Sequence, residues 1–368
     1  TREKESYSSS TLKLVVRRKH IVKDSKRQFE IFCDERPYSR IAGMEIKVEF
    51  ADEQGYDAGG LRNEWLTLTV KQLFDPQLGF FKVSENGVSV QPDPAARVIS
   101  GYQSYFHFAG CLVGYAIANK FQVPVNLTRS FLKLITEREI AVTDLADIDQ
   151  QMMKSLDWIL HNNIEGIIDQ EFGYDVDLYG DRYTLKLGEP DEQLGSVNEK
   201  NKKDYVKRLI YYRLVKEIEP QTQAFKQGFQ RFINPAYLAY MPAAELDKLI
   251  AGDPNIDLEE MKTYAKYEGG YSAESPQIVW FWEILKTFDQ ENLAAVWFFA
   301  SGMNRPGPGG FKDRPLTIVQ IDDSEKSLPK SHTCFSKIDI PLYSTKELLM
   351  EKLVLAISEG REGFGFQQ

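Results

Sequence analysis

Apolar residues recur along the chain in patterns that predict helices more often than strands. Residues 105–121, YFHFAGCLVGYAIANKF, are apolar on all sides at helical spacing, which predicts a helix buried in a core. Residues 147–163 and 201–232 carry apolar side chains on one face and predict amphipathic helices. A polar, glycine-containing insertion with the strand-like run RYTLKL separates them. We therefore expect a mainly helical body with a smaller appended subdomain.

A break in the helical pattern divides the chain near residue 252. In the segment ELDKLIAGDPNIDLEEM, Gly252 ends one helical pattern, and Asp253-Pro254 prevents its continuation. We predict a domain boundary at residues 252–255, with one domain over residues 1–251 and a second over residues 256–368.

The segment after the break mixes predicted helices and strands. Helical patterns occur around PQIVWFWEILKTF and NLAAVWFFASG, and the runs LTIVQI and FSKIDI are strand-like. A last helix is predicted to begin at a capping box formed by Ser344 and Glu347 and to end near Gly360. Because the helical first part also contains the strand-like MEIKVEF, the expected fold class is α+β.

Composition narrows the classes of function. The chain has 368 residues, 42% of them hydrophobic, which is enough for a large core. A formal net charge of −9 argues against nucleic acid or an anionic membrane as the main partner. Neither a membrane-spanning apolar run nor the apolar centre of a signal peptide occurs, so we expect an intracellular, cytoplasmic protein, with the nucleus as a possible location.

The three cysteines, Cys33, Cys111 and Cys334, are too scattered for a disulfide framework or a zinc knuckle. Cys334 follows a proline-containing turn and the residues His332 and Thr333, and a strand-like run comes after it. A free cysteine is often a small buried hydrophobe. This loop setting instead favours an exposed thiol, and a free thiol with a pKa of ~8.5 is already partly ionised near neutral pH.

Other candidate sites have simpler structural interpretations. His107 and Cys111 have the spacing of two metal ligands on a helix, but further ligands are lacking and a core pair is favoured. Asp57 and Glu64 could form a carboxylate pair, although acidic residues are common near helix N-termini. The segments GYDAGGLRNEW and NRPGPGGF lack the Lys-Ser/Thr ending of a phosphate loop and predict tight turns.

Two pairs of apolar residues at i, i+4 spacing have two open interpretations. Met152 with Leu156, and Tyr205 with Leu209, form stripes of the kind that most often belong to a core. Flexible methionine beside aromatic residues is also typical of adaptable grooves for partner proteins.

The C-terminal segment LPKSHTCFSKIDIPLYSTKELLMEKLVLAISEGREGFGF closely resembles the end of a HECT ubiquitin-ligase domain. Further similar segments occur in the family's order and extend the resemblance over nearly the whole chain from Leu12: VEFADEQGYDAGGLRNEW, YFHFAGCLVGYAI, NKKDYV, AFKQGF, ELDKLIAG, EGGYSAESPQIVWFWEIL and FFASGMNRPGPGGF. The resemblance implies a two-lobed HECT fold. Its large, mainly helical N-terminal lobe with a small subdomain binds a ubiquitin-conjugating enzyme, and a hinge leads to a smaller α/β lobe with the catalytic cysteine.

The resemblance also implies roles for individual residues. Cys334 would form the thioester with ubiquitin, and His332, Thr333 and Asp339 would be its motif companions. Phe364 matches the family's C-terminal phenylalanine that helps to orient the lobes. The groove for the conjugating enzyme would be lined by Met152, Leu156, Tyr205 and Leu209.

The function expected from this resemblance is that of a ubiquitin ligase. It would accept ubiquitin from a charged conjugating enzyme and pass it to a lysine of a protein substrate, with no cofactor. A cysteine hydrolase acting on ubiquitin and an inactive interaction module are the alternatives. Because substrate recruitment in this family usually lies upstream of the domain, we expect the chain to be part of a longer protein.

Overall fold

The structure is a computed structural model with helices and short strands. It describes residues 11–34, 45–51, 53, 60–178, 181–188, 192, 194–303, 305–307 and 309–363. Asp57 and Phe364, and the first five residues of the segment GYDAGGLRNEW, lie outside the described residues. Within the described ranges, none of the helices combines the length and the apolar composition that a membrane span requires.

Ten strands are described. They are β1 (Thr11–Val16), β2 (Glu45–Phe50), β3 (Phe81–Val83), β4 (Val90–Pro92), β5 (Gly173–Leu178), β6 (Asp181–Lys186), β7 (Lys266–Glu268), β8 (Thr317–Ile321), β9 (Lys330–His332) and β10 (Lys337–Pro341).

The described helices are more numerous than the strands, and most of them are longer. They are α1 (Ile21–Asp34), α2 (Gly60–Leu73), α3 (Tyr102–Ala118), α4 (Arg129–Ile135), α5 (Gln150–His161), α6 (Lys202–Leu214), α7 (Glu219–Phe229), α8 (Pro235–Leu238), α9 (Ala243–Ala251), α10 (Leu258–Tyr264), α11 (Pro276–Leu285), α12 (Gln290–Ser301), α13 (Gly310–Asp313) and α14 (Lys346–Gly363).

The chain divides by compactness into two units. The first comprises residues 1–71, 116–124 and 247–368, and the second comprises residues 72–115 and 125–246. This division does not coincide with the boundary that the sequence predicts at residues 252–255. The predicted helix break itself is confirmed, because α9 ends at Ala251 and α10 begins at Leu258.

The C-terminal part of the first unit is built on a four-stranded sheet. The strand order is β7-β8-β10-β9, with β8 parallel to both β7 and β10, and β9 antiparallel to β10. Helices α11, α12 and α14 contribute apolar side chains to a single hydrophobic cluster with this sheet. The buried members of the cluster all lie between Ile256 and Ile357, so this part of the chain has a core of its own.

The N-terminal part of the first unit contains the parallel pair β1 and β2 with α1. Alternate residues of both strands are buried, as one covered face of a sheet requires. The buried indole of Trp65 on α2 donates a hydrogen bond to the hydroxyl of Ser25 on α1 at 2.7 Å, which satisfies its polar atom in the core.

The second unit is mainly helical, and α3 lies in its core. Most of the side chains between Phe106 and Tyr115 are buried, which confirms the prediction from the all-round apolar pattern. A separate apolar cluster joins α5 and α6 to the hairpin of β5 and β6, with buried members between Leu145 and Leu214. The predicted RYTLKL strand is therefore confirmed as β6.

The last helix differs from its prediction at both ends. Its cap is Thr345 rather than Ser344, because the Leu348 amide donates to the Thr345 hydroxyl at 3.2 Å. The Ser344 amide instead donates to the Glu325 carboxylate at 3.3 Å. The helix also continues through Gly360 to Gly363, since a glycine inside a helix weakens it without necessarily ending it.

Candidate functional site

Cys334 lies in a tight turn at the edge of the C-terminal sheet. Strand β9 ends at His332, a single 3₁₀ turn covers Thr333–Phe335, and β10 begins at Lys337. Because His332 and Lys337 are paired across the antiparallel ladder, the turn closes a hairpin with the cysteine in its loop. The side chain of Cys334 lies outside the described part of the structure, whereas its backbone lies inside it.

Ser336 fixes the end of this turn in an unusual backbone conformation. Its φ of 50° and ψ of 51° are in the left-handed region, which costs a residue with a Cβ about 1–2 kcal/mol. The residue is fully buried, and its carbonyl accepts a hydrogen bond from the Thr317 amide on β8 at 2.9 Å. The sheet therefore holds a strained residue two positions after Cys334.

Phe335, the residue after Cys334, has the opposite environment. Its side chain is 72% exposed, although phenylalanine normally buries most of its surface. The turn thus presents an aromatic ring to the solvent immediately beside the cysteine.

His332 and Asp339 are brought together across β9 and β10. The His332 Nε2 atom lies 2.8 Å from the Asp339 Oδ2 atom, and the side chains are 53% and 15% exposed. An ionised carboxylate only accepts hydrogen bonds, so Nε2 donates, and in the neutral imidazole Nδ1 is left to accept a proton. The structure confirms that these two predicted residues are neighbours, and their catalytic roles stay predictions.

Arg314 contacts the turn from the segment between α13 and β8. Its Nη2 atom donates to the Thr333 carbonyl at 2.9 Å, and its Nε atom donates to the Ser336 hydroxyl at 2.6 Å. The sequence analysis did not single out this residue. It lies 19 and 22 positions before its two partners, and no short motif links positions so far apart.

The four residues predicted to line a partner groove lie on α5 and α6. Leu156, Tyr205 and Leu209 are at most 5% exposed and belong to the apolar cluster of the second unit, while Met152 is half-buried at its margin. Burial also raises the pKa of the Tyr205 hydroxyl. The structure favours the core interpretation for these three side chains, because they offer almost no surface with which to line a groove.

More exposed side chains on the same two helices were not predicted. Trp158 on α5 and Tyr211 on α6 are 42% and 48% exposed, and both are large enough to anchor a partner. The i, i+4 spacing identified apolar faces, but it could not indicate which residues the β5–β6 hairpin and its neighbours would cover.

The His107 and Cys111 pair is part of a core. Cys111 is buried on α3, and its Sγ atom lies 3.8 Å from the Nδ1 atom of His107. Across the described ranges, no group of three or more histidine, cysteine or acidic side chains could hold a metal ion. Glu64, the described member of the other candidate pair, instead accepts a hydrogen bond from Arg18 at 2.7 Å.

The fold and this turn define a protein of the α+β class. Its candidate site is a cysteine in a hairpin turn, beside a histidine–carboxylate pair. Sequence comparison identifies the family within that class. The model of the HECT-domain (ubiquitin-transferase) family matches residues 67–367. The chain belongs to the HECT-domain family.

Curated relatives agree with this assignment. E3 ubiquitin-protein ligase ptr1 of Schizosaccharomyces pombe is 34% identical over 364 residues, which cover 96% of this chain and 11% of that protein. E3 ubiquitin-protein ligase UPL1 of Arabidopsis thaliana is 34% identical over 378 residues, or 98% of this chain and 10% of that protein. E3 ubiquitin-protein ligase pub3 of S. pombe is 32% identical, and the match covers 95% of this chain and 44% of that protein.

The chain therefore spans only about a tenth of the length of ptr1 and UPL1. The family assignment applies to nearly all of the chain, because the matches cover 95–98% of it.

Proposed function

We propose that the chain is the catalytic part of a ubiquitin ligase that carries ubiquitin as a thioester on Cys334. The observation that carries this proposal is the place of Cys334 in a hairpin turn, inside a chain that belongs to the HECT-domain family. The proposed partners are a ubiquitin-conjugating enzyme charged with ubiquitin, ubiquitin itself and a protein substrate with an accessible lysine.

The first step exchanges one thioester for another. The Cys334 thiolate attacks the carbonyl carbon at the ubiquitin C-terminus, a new C–S bond forms, and the bond to the conjugating enzyme's sulfur breaks. That sulfur leaves with the electron pair as a thiolate. Because a thiol replaces a thiol, the step is nearly isoenergetic and depends mainly on proximity and orientation.

The second step transfers ubiquitin to a lysine. A neutral lysine amine attacks the thioester carbon, the C–N bond of the amide forms, and the C–S bond breaks, so that the Cys334 sulfur leaves with the electron pair as a thiolate. The nitrogen gives up a second proton to solvent as the amide forms. A lysine with a pKa of ~10.4 must first lose a proton. We assign the acceptance of this proton to Nδ1 of His332, because Asp339 holds the ring through Nε2 at 2.8 Å and stabilises the imidazolium that forms.

We also propose the two-lobed arrangement that the family resemblance implies, with residues 1–251 and 256–368 as lobes. The separate core between Ile256 and Ile357 supports the C-terminal lobe as a folding unit. Residues 252–255 would form the hinge. Gly252 has a φ of +94° there, and its neighbour Asp253 donates its amide to the Pro306 carbonyl at 2.8 Å, so Asp253 is held to the part of the chain that follows the hinge.

The contact with the conjugating enzyme is proposed for the exposed side of α5 and α6. Met152 remains a candidate because it is half-buried, and the exposed Trp158 and Tyr211 provide larger apolar surface nearby. A polar residue at Trp158 would then raise the concentration of conjugating enzyme needed for half-maximal loading and leave the melting temperature unchanged.

The alternatives make different products from the same reagents. The chain is incubated with a ubiquitin-charged conjugating enzyme, and the products are resolved on non-reducing gels with and without thiol. A ligase forms a ubiquitin adduct that thiol removes, a hydrolase releases free ubiquitin, and an inactive interaction module does neither. Absence of an adduct across a panel of charged conjugating enzymes would overturn the proposed function.

A further inference from the structure

We propose that Arg314 is a positioning residue for Cys334, an inference that rests on the proposed function. One guanidinium group joins three places in the fold. It donates to the Thr333 carbonyl at 2.9 Å, to the Ser336 hydroxyl at 2.6 Å and to the carbonyl of Ser301, the last residue of α12, at 3.3 Å. The first residue of the cysteine-bearing turn and the residue after the turn are thereby tied to a buried helix end.

The bond to Thr333 acts directly on the backbone of Cys334. The Thr333 carbonyl and the Cys334 amide belong to the same planar peptide group, so a hydrogen bond to this oxygen restrains the plane from which the cysteine side chain projects. Thioester exchange depends on the orientation of the attacking sulfur, and a displacement of about 1 Å reduces such a reaction about a hundredfold.

The bond to Ser336 acts on the other side of the turn. Ser336 is buried in a left-handed conformation, which persists only where its surroundings fix it. The Arg314 Nε bond and the backbone bond from Thr317 together provide that restraint. A lysine at position 314 could not reproduce this arrangement, because its single ammonium lacks the planar fork with which arginine reaches several acceptors.

A purely structural role for Arg314 is the competing interpretation. A cation at the end of α12 also interacts favourably with the helix dipole, and this effect requires only the charge. The two interpretations differ for Arg314→Lys, which keeps the charge and loses the fork. They also differ for a variant that keeps the fold intact. A positioning role predicts a lower maximum rate of loading in such a variant, whereas a structural role predicts an unchanged rate.

The kinetic test is single-turnover loading of Cys334 over a range of ubiquitin-charged conjugating enzyme. For Arg314→Ala we expect the maximum rate to fall about 10- to 100-fold with half-saturation unchanged within about twofold. Arg314→Lys should restore less than half of the fall in the logarithm of the maximum loading rate that Arg314→Ala causes. Ser336→Ala should show a smaller defect that does not add to that of Arg314→Ala, because both remove the same bond.

Lys346→Ala is the matched control. Lys346 is also a cation in the C-terminal part, and it pairs with Glu283 at 2.6 Å between the start of α14 and α11. Its removal should leave the maximum loading rate unchanged.

Hydrogen exchange provides a readout that needs no partner. In Arg314→Ala, the amides of residues 333–337 should exchange at least about tenfold faster, while those in the middle of α12 and α14 keep their protection.

The outcomes separate this inference from the proposed function. If the wild-type chain loads and Arg314→Lys loads at the wild-type maximum rate with unchanged exchange, Arg314 acts through its charge alone and the positioning role is wrong. Arg314→Ala could instead lower the melting temperature and reduce the loading rate only by the fraction of chain that is unfolded at the assay temperature. The role of Arg314 is then structural, and the proposal is also wrong. If the wild-type chain forms no adduct at all, the proposed function fails, and this inference fails with it.

Discussion

At the scale of single residues, the C-terminal part depends on a few buried polar groups. The Tyr271 hydroxyl donates to the carbonyls of Ile340 and Pro341, at 3.2 Å and 3.0 Å, where β10 ends. The tyrosine is almost fully buried, and burial raises its pKa to about 12. It therefore fixes the end of the strand that begins beside the cysteine-bearing turn.

We predict that Tyr271→Phe lowers the free energy of unfolding by about 1–3 kcal/mol at neutral pH, because it leaves buried carbonyls without this donor. Chemical denaturation measures the change. Tyr343→Phe is a related control, since it removes a hydroxyl that donates to the Ser327 carbonyl instead. Equal stability of wild type and Tyr271→Phe would show that the hydroxyl contributes nothing there.

The same tyrosine predicts a dependence on alkaline pH. The unfolded chain releases this proton near pH 10, whereas the folded chain retains it to about pH 12. The contribution of the hydroxyl is therefore complete below pH 10 and is lost as the pH rises from 10 to about 12. The stability difference between wild type and Tyr271→Phe should shrink over this interval, and a constant difference would contradict the assignment.

The sequence predicted Cys334 and His332 as candidate site residues, but not everything around them. A polar, proline-containing setting indicated that the thiol lies in a loop, and the family resemblance supplied its proposed role. The contact of Arg314 with the turn depends on how the chain returns after α13, which local patterns do not encode. Likewise, the spacing of Leu156, Tyr205 and Leu209 predicted a shared apolar face without showing whether chain or solvent covers it.

At the scale of elements, the second unit depends on a close approach of α3 and α7. A Cβ atom added at Gly228 would lie 1.9 Å from the His107 carbonyl oxygen, and one added at Gly110 would lie 2.0 Å from the Phe225 carbonyl oxygen. Both obstacles are backbone atoms and cannot rotate away. The apolar pattern predicted that α3 is buried, but it gave no indication that glycines set the distance to its neighbour.

We predict that Gly228→Ala destabilises the chain by about 1–3 kcal/mol or more, because the two helices must separate. Alanine favours the helical state by about 1 kcal/mol over glycine, which offsets only part of this cost. Gly195→Ala is the matched control, since a Cβ there would meet no atom within 4 Å. Thermal unfolding of both variants tests the prediction, and equal melting temperatures would contradict the close packing.

At the scale of the whole molecule, the proposed reaction requires the cysteine to meet a donor and then an acceptor. The helix break at residues 252–255 was predicted from sequence and is present between α9 and α10. The lobes on either side of it stay a prediction. A local pattern can reveal where a chain turns, but the freedom of two bodies to move depends on contacts that are distant in sequence.

We predict that Phe364→Ala separates the two chemical steps. By family resemblance, Phe364 would help to hold the proposed lobes in the arrangement for transfer to lysine, whereas loading would use another arrangement. Burial of one phenylalanine is worth roughly 1.5–3 kcal/mol, so discharge should slow by about ten- to a hundredfold while loading is retained. Preloaded chain is chased with free lysine, with Phe366→Ala as the control. Poor loading with normal discharge, or the defect in Phe366→Ala alone, would contradict this role.

The most direct test of the account is the chemical identity of the ubiquitin adduct on Cys334. The wild-type chain, Cys334→Ala, Cys334→Ser and Cys111→Ala are each incubated with a ubiquitin-charged conjugating enzyme, and intact masses are measured before and after thiol treatment. Wild type and the variant of the buried Cys111 should gain one ubiquitin that thiol removes. Cys334→Ala should gain none, and any adduct on Cys334→Ser should resist thiol and yield to alkali, as an oxygen ester does. A thiol-sensitive ubiquitin adduct on Cys334→Ala would contradict the central claim.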